Sequence, residues 1–265
     1  MKPQKTLIYQ FLKNDGSLLI VLDACRYDYF VKYSYLLGCD LKIEKVRSSG
    51  SCTIEWLKKT FTRPLKDVVY IAANPFIYKF TQQFGNVVHL WLHKWDENLG
   101  TVRAEVVSKS VKRQFLFNPN RKVIAHFLQP HAPFVTGSWL NMSYDDSIRK
   151  GVRLRAYELS ERSFEARREF IRAYIENVKY VLAELGTLIK WFNKHFPHVK
   201  IIITSDHGES LGRWDPLYNF RKRIWKWIPY ILGIYRVVGH PCNKKYPELV
   251  YVPWAIVGLS TVSRL

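Results

Sequence analysis

Several common protein classes are closed to this chain by what it lacks. It has four cysteines in 265 residues, and none of Cys25, Cys39, Cys52 and Cys242 is spaced C-x-x-C. A zinc ribbon and a thioredoxin-type motif are thereby excluded, and free buried thiols are expected. No run approaches the roughly 20 apolar residues of a membrane span. Residues 1–15 have no signal-peptide apolar core. A cytoplasmic protein is therefore expected, soluble or peripheral on the inner membrane face. There is no internal repeat and no low-complexity tract. Acidic residues are few: 22 Asp and Glu stand against 41 Lys and Arg, a net charge of +19. Such a surface attracts phosphate-bearing partners, whether nucleic acid, anionic lipid or a phosphorylated substrate. No nucleic-acid module is recognisable, so nucleic acid is the least expected of the three.

What is present is enough for a packed core. Hydrophobic residues make up 48% of the chain and aromatic residues 15%, which argues for a folded globule. Short β-branched runs bounded by turn signals read as buried strands over 17–23, 67–73, 87–91, 122–128, 200–203 and 250–257. The last is interrupted by Pro253. Helical spacing marks 24–37, 101–115 and a long segment from Ser163 to Pro197. In that segment Phe170, Tyr174, Val178, Val181, Leu182, Leu185, Ile189 and Phe192 share one face. Alternating strands and helices predict an α/β/α sandwich around a mainly parallel sheet, as a single domain.

The chemistry-bearing residues fall where such strands end. Thr204-Ser205-Asp206-His207-Gly208-Glu209 follows the strand at 200–203. A carboxylate and an imidazole at the carboxyl edge of an open sheet make a good metal pair. Asp23 ends the strand at 17–23, where it is either a second metal ligand or a helix N-cap. Residues 47–57 form a small-residue turn running into a helix. This is either an ordinary capping box with Glu55 or a nucleophile at a helix N-terminus facing an anionic ester. His131 lies in the proline-fixed turn Gln129-Pro130-His131-Ala132-Pro133. His126 lies inside a strand and reads as a core residue, and His89 and His93 read as structural. Residues 135–162 are polar and aperiodic, as in a lid-like loop. Residues 213–238 interleave Arg213, Arg221, Lys222, Arg223, Lys226 and Arg236 with Trp214, Tyr218, Trp225, Trp227, Tyr230 and Tyr235. That pattern suits contact with an anionic membrane surface. Packing beneath the lid and base stacking are its alternatives.

Taken together, strand–Asp23, Gly50-Ser51-Cys52-Thr53 before a helix, Gln129-Pro130-His131, Thr204 to Glu209 and Gly239-His240 resemble the alkaline phosphatase superfamily. The resemblance is to its sulfatase-like branch, which includes phosphoethanolamine and glycerol-phosphate transferases. Ala73-Asn74-Pro75 and Trp95 to Gly100 are similar to archaeal sulfatase-like sequences. The resemblance implies one divalent ion, Zn or Mn ahead of Mg or Ca, held by Asp23, Ser51, Asp206 and His207. It implies Ser51 as nucleophile, with Thr53 and Cys52 as fallbacks. His131 and His240 would bind the transferred group or protonate the leaving oxygen. It departs from true sulfatases, because no Pro or Arg follows Cys52 as in C-x-P-S-R. It departs from two-metal phosphatases, because no Asp adjoins His131. The expected activity is metal-dependent hydrolysis or transfer of an anionic phosphate ester through a covalent seryl intermediate. The alternatives are a sulfuric ester hydrolase and a peripheral membrane-binding protein with a vestigial site.

Overall fold

The computed structural model describes residues 1–136, 152–218 and 228–258. Its centre is a seven-stranded sheet. The strands are β1 (Ser17–Asp23), β2 (Asp40–Arg47), β3 (Leu65–Ala72), β4 (Phe84–His89), β5 (Lys122–Pro130), β6 (Lys200–Ser205) and β9 (Tyr251–Gly258). They run in the order β2-β9-β6-β1-β5-β3-β4. The pairs β1–β5, β1–β6, β3–β4 and β3–β5 are parallel. β9 runs antiparallel to both of its neighbours, β2 and β6. This is the mainly parallel sheet that the alternation of strand and helix predicts.

Every residue of β1 is buried, because both faces of the sheet are covered. Leu18, Ile20 and Leu22 pack into one core with Val107, Val111 and Phe115 of one helix and Tyr174, Val178 and Leu182 of another. Leu19 and Val21 face the opposite core, with Ile8, Trp56, Leu57 and Phe61. A period of two along the strand thus serves two cores. The helices of the second core are α1 (Gln4–Phe11) and α3 (Thr53–Thr60). On the first face lie α2 (Tyr27–Tyr33), α4 (Ala104–Phe117), α5 (Val152–Arg162) and α6 (Phe164–His195).

The long helix α6 begins where its N-cap signal places it: the Ala166 N–H donates to Ser163 Oγ at 3.2 Å. Its buried stripe carries one polar residue, Asn177. The Asn177 side-chain amide donates to the carbonyls of Pro130 and His131 at 3.0 and 3.3 Å, and its oxygen accepts from the Val135 N–H. A buried amide is costly unless bonded, and here the bonds fix the turn that carries His131.

One alternative falls away and two expectations need correction. Asp23 caps no helix: α2 starts at Tyr27 with Arg26 as N-cap, which frees the Asp23 carboxylate for the sheet edge. The expected loop over 135–162 ends in the helix α5, and residues 137–151 of it lie outside the described residues. The thiols are not all free: Cys52 and Cys242 form a disulfide, leaving Cys25 and Cys39 free. The pairing joins residues 190 apart, which no local spacing could announce. The strand β2 also escaped the sequence pattern. It is a half-exposed edge strand whose register comes from pairing with β9. Pro253 does not interrupt β9, because the pairing with β6 begins only at Trp254.

Candidate active site

Four adjacent strands, β6, β1, β5 and β3, end on one edge of the sheet. Their carboxyl ends deliver Asp206-His207, Asp23, His131 and Asn74 to one place, as the rule for open parallel sheets requires.

The carboxylates are held on one side and offered on the other. Asp206 Oδ1 accepts from the Ala24 N–H at 3.1 Å and from the His207 N–H at 2.7 Å. Asp206 Oδ2 faces His207 Nε2 at 3.4 Å and has no hydrogen-bond partner. Asp23 Oδ2 accepts from the Asn74 side chain at 2.6 Å, and Asp23 Oδ1 lies 3.5 Å from His207 Nε2. The Ala24 backbone sits at φ 61°, a conformation costly for a residue with a Cβ. It is held by the bond to Asp206 and by the Tyr174 hydroxyl, which donates to the Ala24 carbonyl at 2.8 Å. Burial opposes the Asp206 charge, but the His207 and His126 imidazoles and the Ala24 N–H outweigh it and hold its carboxyl below the ordinary carboxylate range.

His207 is oriented as a ligand. Its Nδ1–H donates to the Gly208 carbonyl at 2.8 Å, which leaves the Nε2 lone pair facing both carboxylates. Thr53 Oγ1 lies 3.2 Å from the same Nε2. The separations of 3.2, 3.4 and 3.5 Å match the roughly 3.3–3.4 Å between donors of a tetrahedral site with bonds of about 2.0–2.1 Å. The unsatisfied, fully buried Asp206 Oδ2 and the oxygen–nitrogen donor set fit a zinc-like ion.

Gly208 makes this turn possible by close approach. A Cβ there would meet the Glu248 carbonyl oxygen at 1.9 Å, while the Gly208 N–H donates to the Leu249 carbonyl at 2.8 Å. Gly208→Ala should cost about 2–3 kcal/mol and lower the melting temperature by about 5–10 °C. A thermal melt without added metal tests this.

Ser51 is not where the resemblance implies. Its hydroxyl lies 3.0 Å from Glu55 Oε2 and 2.9 Å from the Pro241 carbonyl, the two acceptors that share its one proton. It lines a separate depression with Arg47, Ser49 and Lys59. Thr53, the first residue of α3, instead lines the cleft with Asp23, His131 and His240. Cys52, the other fallback, is bound in the disulfide. The motif's spacing locates the turn, but only the helix entry decides which hydroxyl points into the cleft.

Glu55 completes the capping arrangement. Its Oε2 accepts from the Ser51 and Asn243 N–H groups at 2.9 and 3.2 Å, and it pairs with Lys59. Burial raises its pKa, but Lys59 and those N–H donors outweigh that and bring it down to about 2. A depressed carboxylate stabilises the fold above its ordinary pKa near 4.5, and that stabilisation is lost as pH falls toward 2. Glu55→Ala should cost about 1–2 kcal/mol at neutral pH. The difference should shrink steadily below about pH 4.5, as urea unfolding of both proteins across that range would show.

His131 and His240 converge on the same cleft. Their ring centroids are 4.7 Å apart, and His240 lies 4.6 Å from His207. His240 Nδ1 is 3.1 Å from Oε1 of the buried Glu209, which in turn accepts from the Tyr157 hydroxyl at 3.4 Å. His131, Glu209 and His240 offer a second set of clustered donors. The cleft encloses about 560 Å³ and is walled by Phe76, Trp95, Tyr157 and Tyr218. Sequence reasoning assigned no role to Asn74, Glu209 or Tyr157. The first two stand inside quoted motifs, which was the available signal. Tyr157 sits in the stretch read as a loop.

In the chain, the basic aromatic segment connects β7 (Ser210–Arg213) and β8 (Val237–Gly239), which pair antiparallel. Its residues 219–227, including Trp225 and Trp227, lie outside the described residues. No helix among the described residues is long and apolar enough to cross a membrane.

Comparison with known proteins identifies a family and a fold. Residues 82–253 match the family model described as Sulfatase. That span holds His131, Asp206, His207 and His240, while Asp23 and Thr53 precede it. No curated protein sequence matches the chain. Among solved structures, the chain is similar to the integral membrane protein lipooligosaccharide phosphoethanolamine transferase A (EptA) from Neisseria meningitidis. The TM-score is 0.60 at 15% identity, over 91% of this chain and 47% of that one. It is similar to the C-terminal periplasmic domain of EcEptC from Escherichia coli in complex with Zn (TM-score 0.56, 14% identity, 93% and 73% covered). It is also similar to a putative sulfatase from Bacteroides thetaiotaomicron VPI-5482 (TM-score 0.52, 12% identity, 92% and 64% covered). At these identities the likeness is one of fold, and the chain spans about half the length of the first.

Proposed function

The chain belongs to the sulfatase family, and from that premise we propose that it is a metal-dependent phosphate-ester hydrolase or phosphotransferase working through a covalent threonyl intermediate. The observation that carries this is Thr53 Oγ1 set 3.2 Å from His207 Nε2, beside the two buried carboxylates of Asp23 and Asp206.

Asp23, Thr53, Asp206 and His207 would hold one divalent ion, Zn or Mn ahead of Mg or Ca. Bound there, such an ion supplies Lewis-acid charge that acidifies a neighbouring hydroxyl and draws charge off an ester oxygen. Thr53 provides the attacking oxygen: its hydroxyl proton leaves to solvent, and its bond to phosphorus forms as the ester bond breaks in line with it. His240 donates its Nδ1–H to Glu209, and in the first step its Nε2 also carries a proton, which it gives to the leaving oxygen. Water or an acceptor alcohol then takes the phosphoryl group from Thr53, with its proton passing to His240. His131 binds a phosphoryl oxygen. The aromatic walls of the cleft exclude water from part of it.

Phosphate is favoured over sulfate by the chain's own chemistry. The formylglycine route needs a free Cys or a Ser at the nucleophile, whereas the residue in the cleft is Thr53 and Cys52 is bound to Cys242. Hydrolysis of mono- and bis-(p-nitrophenyl) phosphate and of p-nitrophenyl sulfate, each with a panel of divalent ions, tests the assignment. Metal-dependent turnover of a phosphate ester is the expected result. Turnover of the sulfate alone would overturn it.

Two further features bear on setting and partner. Protein disulfides persist mainly in oxidising compartments, hyperthermophiles apart. Cys52–Cys242 therefore favours an oxidising compartment over the cytoplasm expected from the sequence. Mass-shift maleimide labelling of acid-quenched cells should find Cys52 and Cys242 blocked. Near the cleft residue Tyr218, Trp214, Leu217, Leu232 and Ile234 are exposed. They support peripheral contact with an anionic membrane surface, which a Leu232→Glu/Ile234→Glu variant should weaken in liposome flotation.

A further inference from the structure

His126 carries more than the core role its position in a strand suggests. It is fully buried on the face of β5 that packs beneath α3, with its ring 5.6 Å from that of Trp56. Its Nδ1 is hydrogen-bonded to the Tyr70 hydroxyl at 2.8 Å. Its Nε2 has no hydrogen-bond partner. That atom faces Asp206 Oδ2, at 3.7 Å, and Oδ2 is equally without a hydrogen-bond partner. Two buried polar atoms left without hydrogen bonds cost about 1–3 kcal/mol each, and native proteins rarely tolerate them without a purpose.

We propose that His126 is a further ligand of the ion at this site, binding through Nε2 from the core side, opposite the cleft. This rests on the metal-dependent function proposed above and adds to its ligand set. Donor atoms of Asp23, His126 and Asp206 all lie within 4.8 Å of one another. The 3.7 Å from His126 to Asp206 falls between adjacent donors, about 3.3 Å apart, and opposite donors, about 4.2 Å apart, for bonds near 2.1 Å. Both imidazoles thus approach Asp206 Oδ2, His207 at 3.4 Å and His126 at 3.7 Å. Tyr70 gives His126 the outer partner that a metal-bound imidazole needs: with Nδ1–H donating to the phenol oxygen, the Nε2 lone pair would be left for the ion. A second nitrogen donor, placed where no substrate reaches, would tighten the site without blocking the cleft. It would also favour zinc over magnesium and calcium, which prefer oxygen.

The test counts metal-bound imidazole nitrogens directly. Full-length protein labelled with 15N-histidine is loaded with one equivalent of 113Cd and examined by NMR for one-bond Cd–N splitting. The expected result is splitting at His126 Nε2 as well as at His207 Nε2, with the former absent in His126→Gln. Zinc affinity, measured by chelator competition, should fall at least about 100-fold in His126→Gln, and about 10–100-fold in Tyr70→Phe with both splittings kept. Should His126→Gln fail to fold, Tyr70→Phe assigns the His126 resonance, since it removes the Nδ1 partner. Splitting at His207 alone, with His126 Nε2 carrying a proton, would overturn the proposal and make His126 a positioning residue for Asp206. No splitting at any histidine would overturn both this assignment and the metal site itself.

Discussion

Thr53→Ala is expected to lower turnover of a phosphate ester by at least about 10⁴-fold, the scale on which removal of a covalent nucleophile acts, while Ser51→Ala stays within a few-fold of wild type. The contrast follows from direction. The Ser51 hydroxyl is spent on Glu55 and Pro241, and the Thr53 hydroxyl faces His207 across the cleft edge. Thr53→Ser keeps the oxygen and should retain measurable activity. Trapping separates this from a structural effect: after rapid acid quench, mass spectrometry should find a phosphoryl adduct on the peptide containing Thr53, absent in Thr53→Ala. An adduct on Ser51, or full activity in Thr53→Ala, would return the nucleophile to the residue the resemblance first implied.

Asp206→Asn should weaken metal binding by at least about 100-fold and remove activity with it. The loss exceeds the 10–100-fold typical of residues outside the ligand set. The substitution is nearly isosteric. Its oxygen can still accept from the Ala24 and His207 N–H groups, as Oδ1 does now. An amide nitrogen then replaces the one donor oxygen directed at His207. The readout is thermal: metal at 100 times its dissociation constant stabilises wild type by about 2.7 kcal/mol. Asp206→Asn should show almost none of that shift at the same concentration. An undiminished shift would mean that the ion sits elsewhere, with the His131, Glu209 and His240 donors as the next place to look.

Much of this protein was settled locally, by period and composition. The runs at 17–23, 122–128 and 200–203 could only be buried strands, and α6 had to bury the stripe from Phe170 to Phe192. Since parallel strands gather their ends on one edge, Asp23, His131 and Asp206-His207 were bound to meet there. Tertiary structure decided what depends on direction and on distant partners. It turned Thr53 rather than Ser51 into the cleft, because the geometry of a helix entry is not a matter of spacing. It joined Cys52 to Cys242, brought Glu209 behind His240, and placed Asn177 under the His131 turn. It also set Tyr70 and His126 beneath Asp206. A histidine inside a strand looks like any other core residue until the neighbouring strands show what its second nitrogen faces.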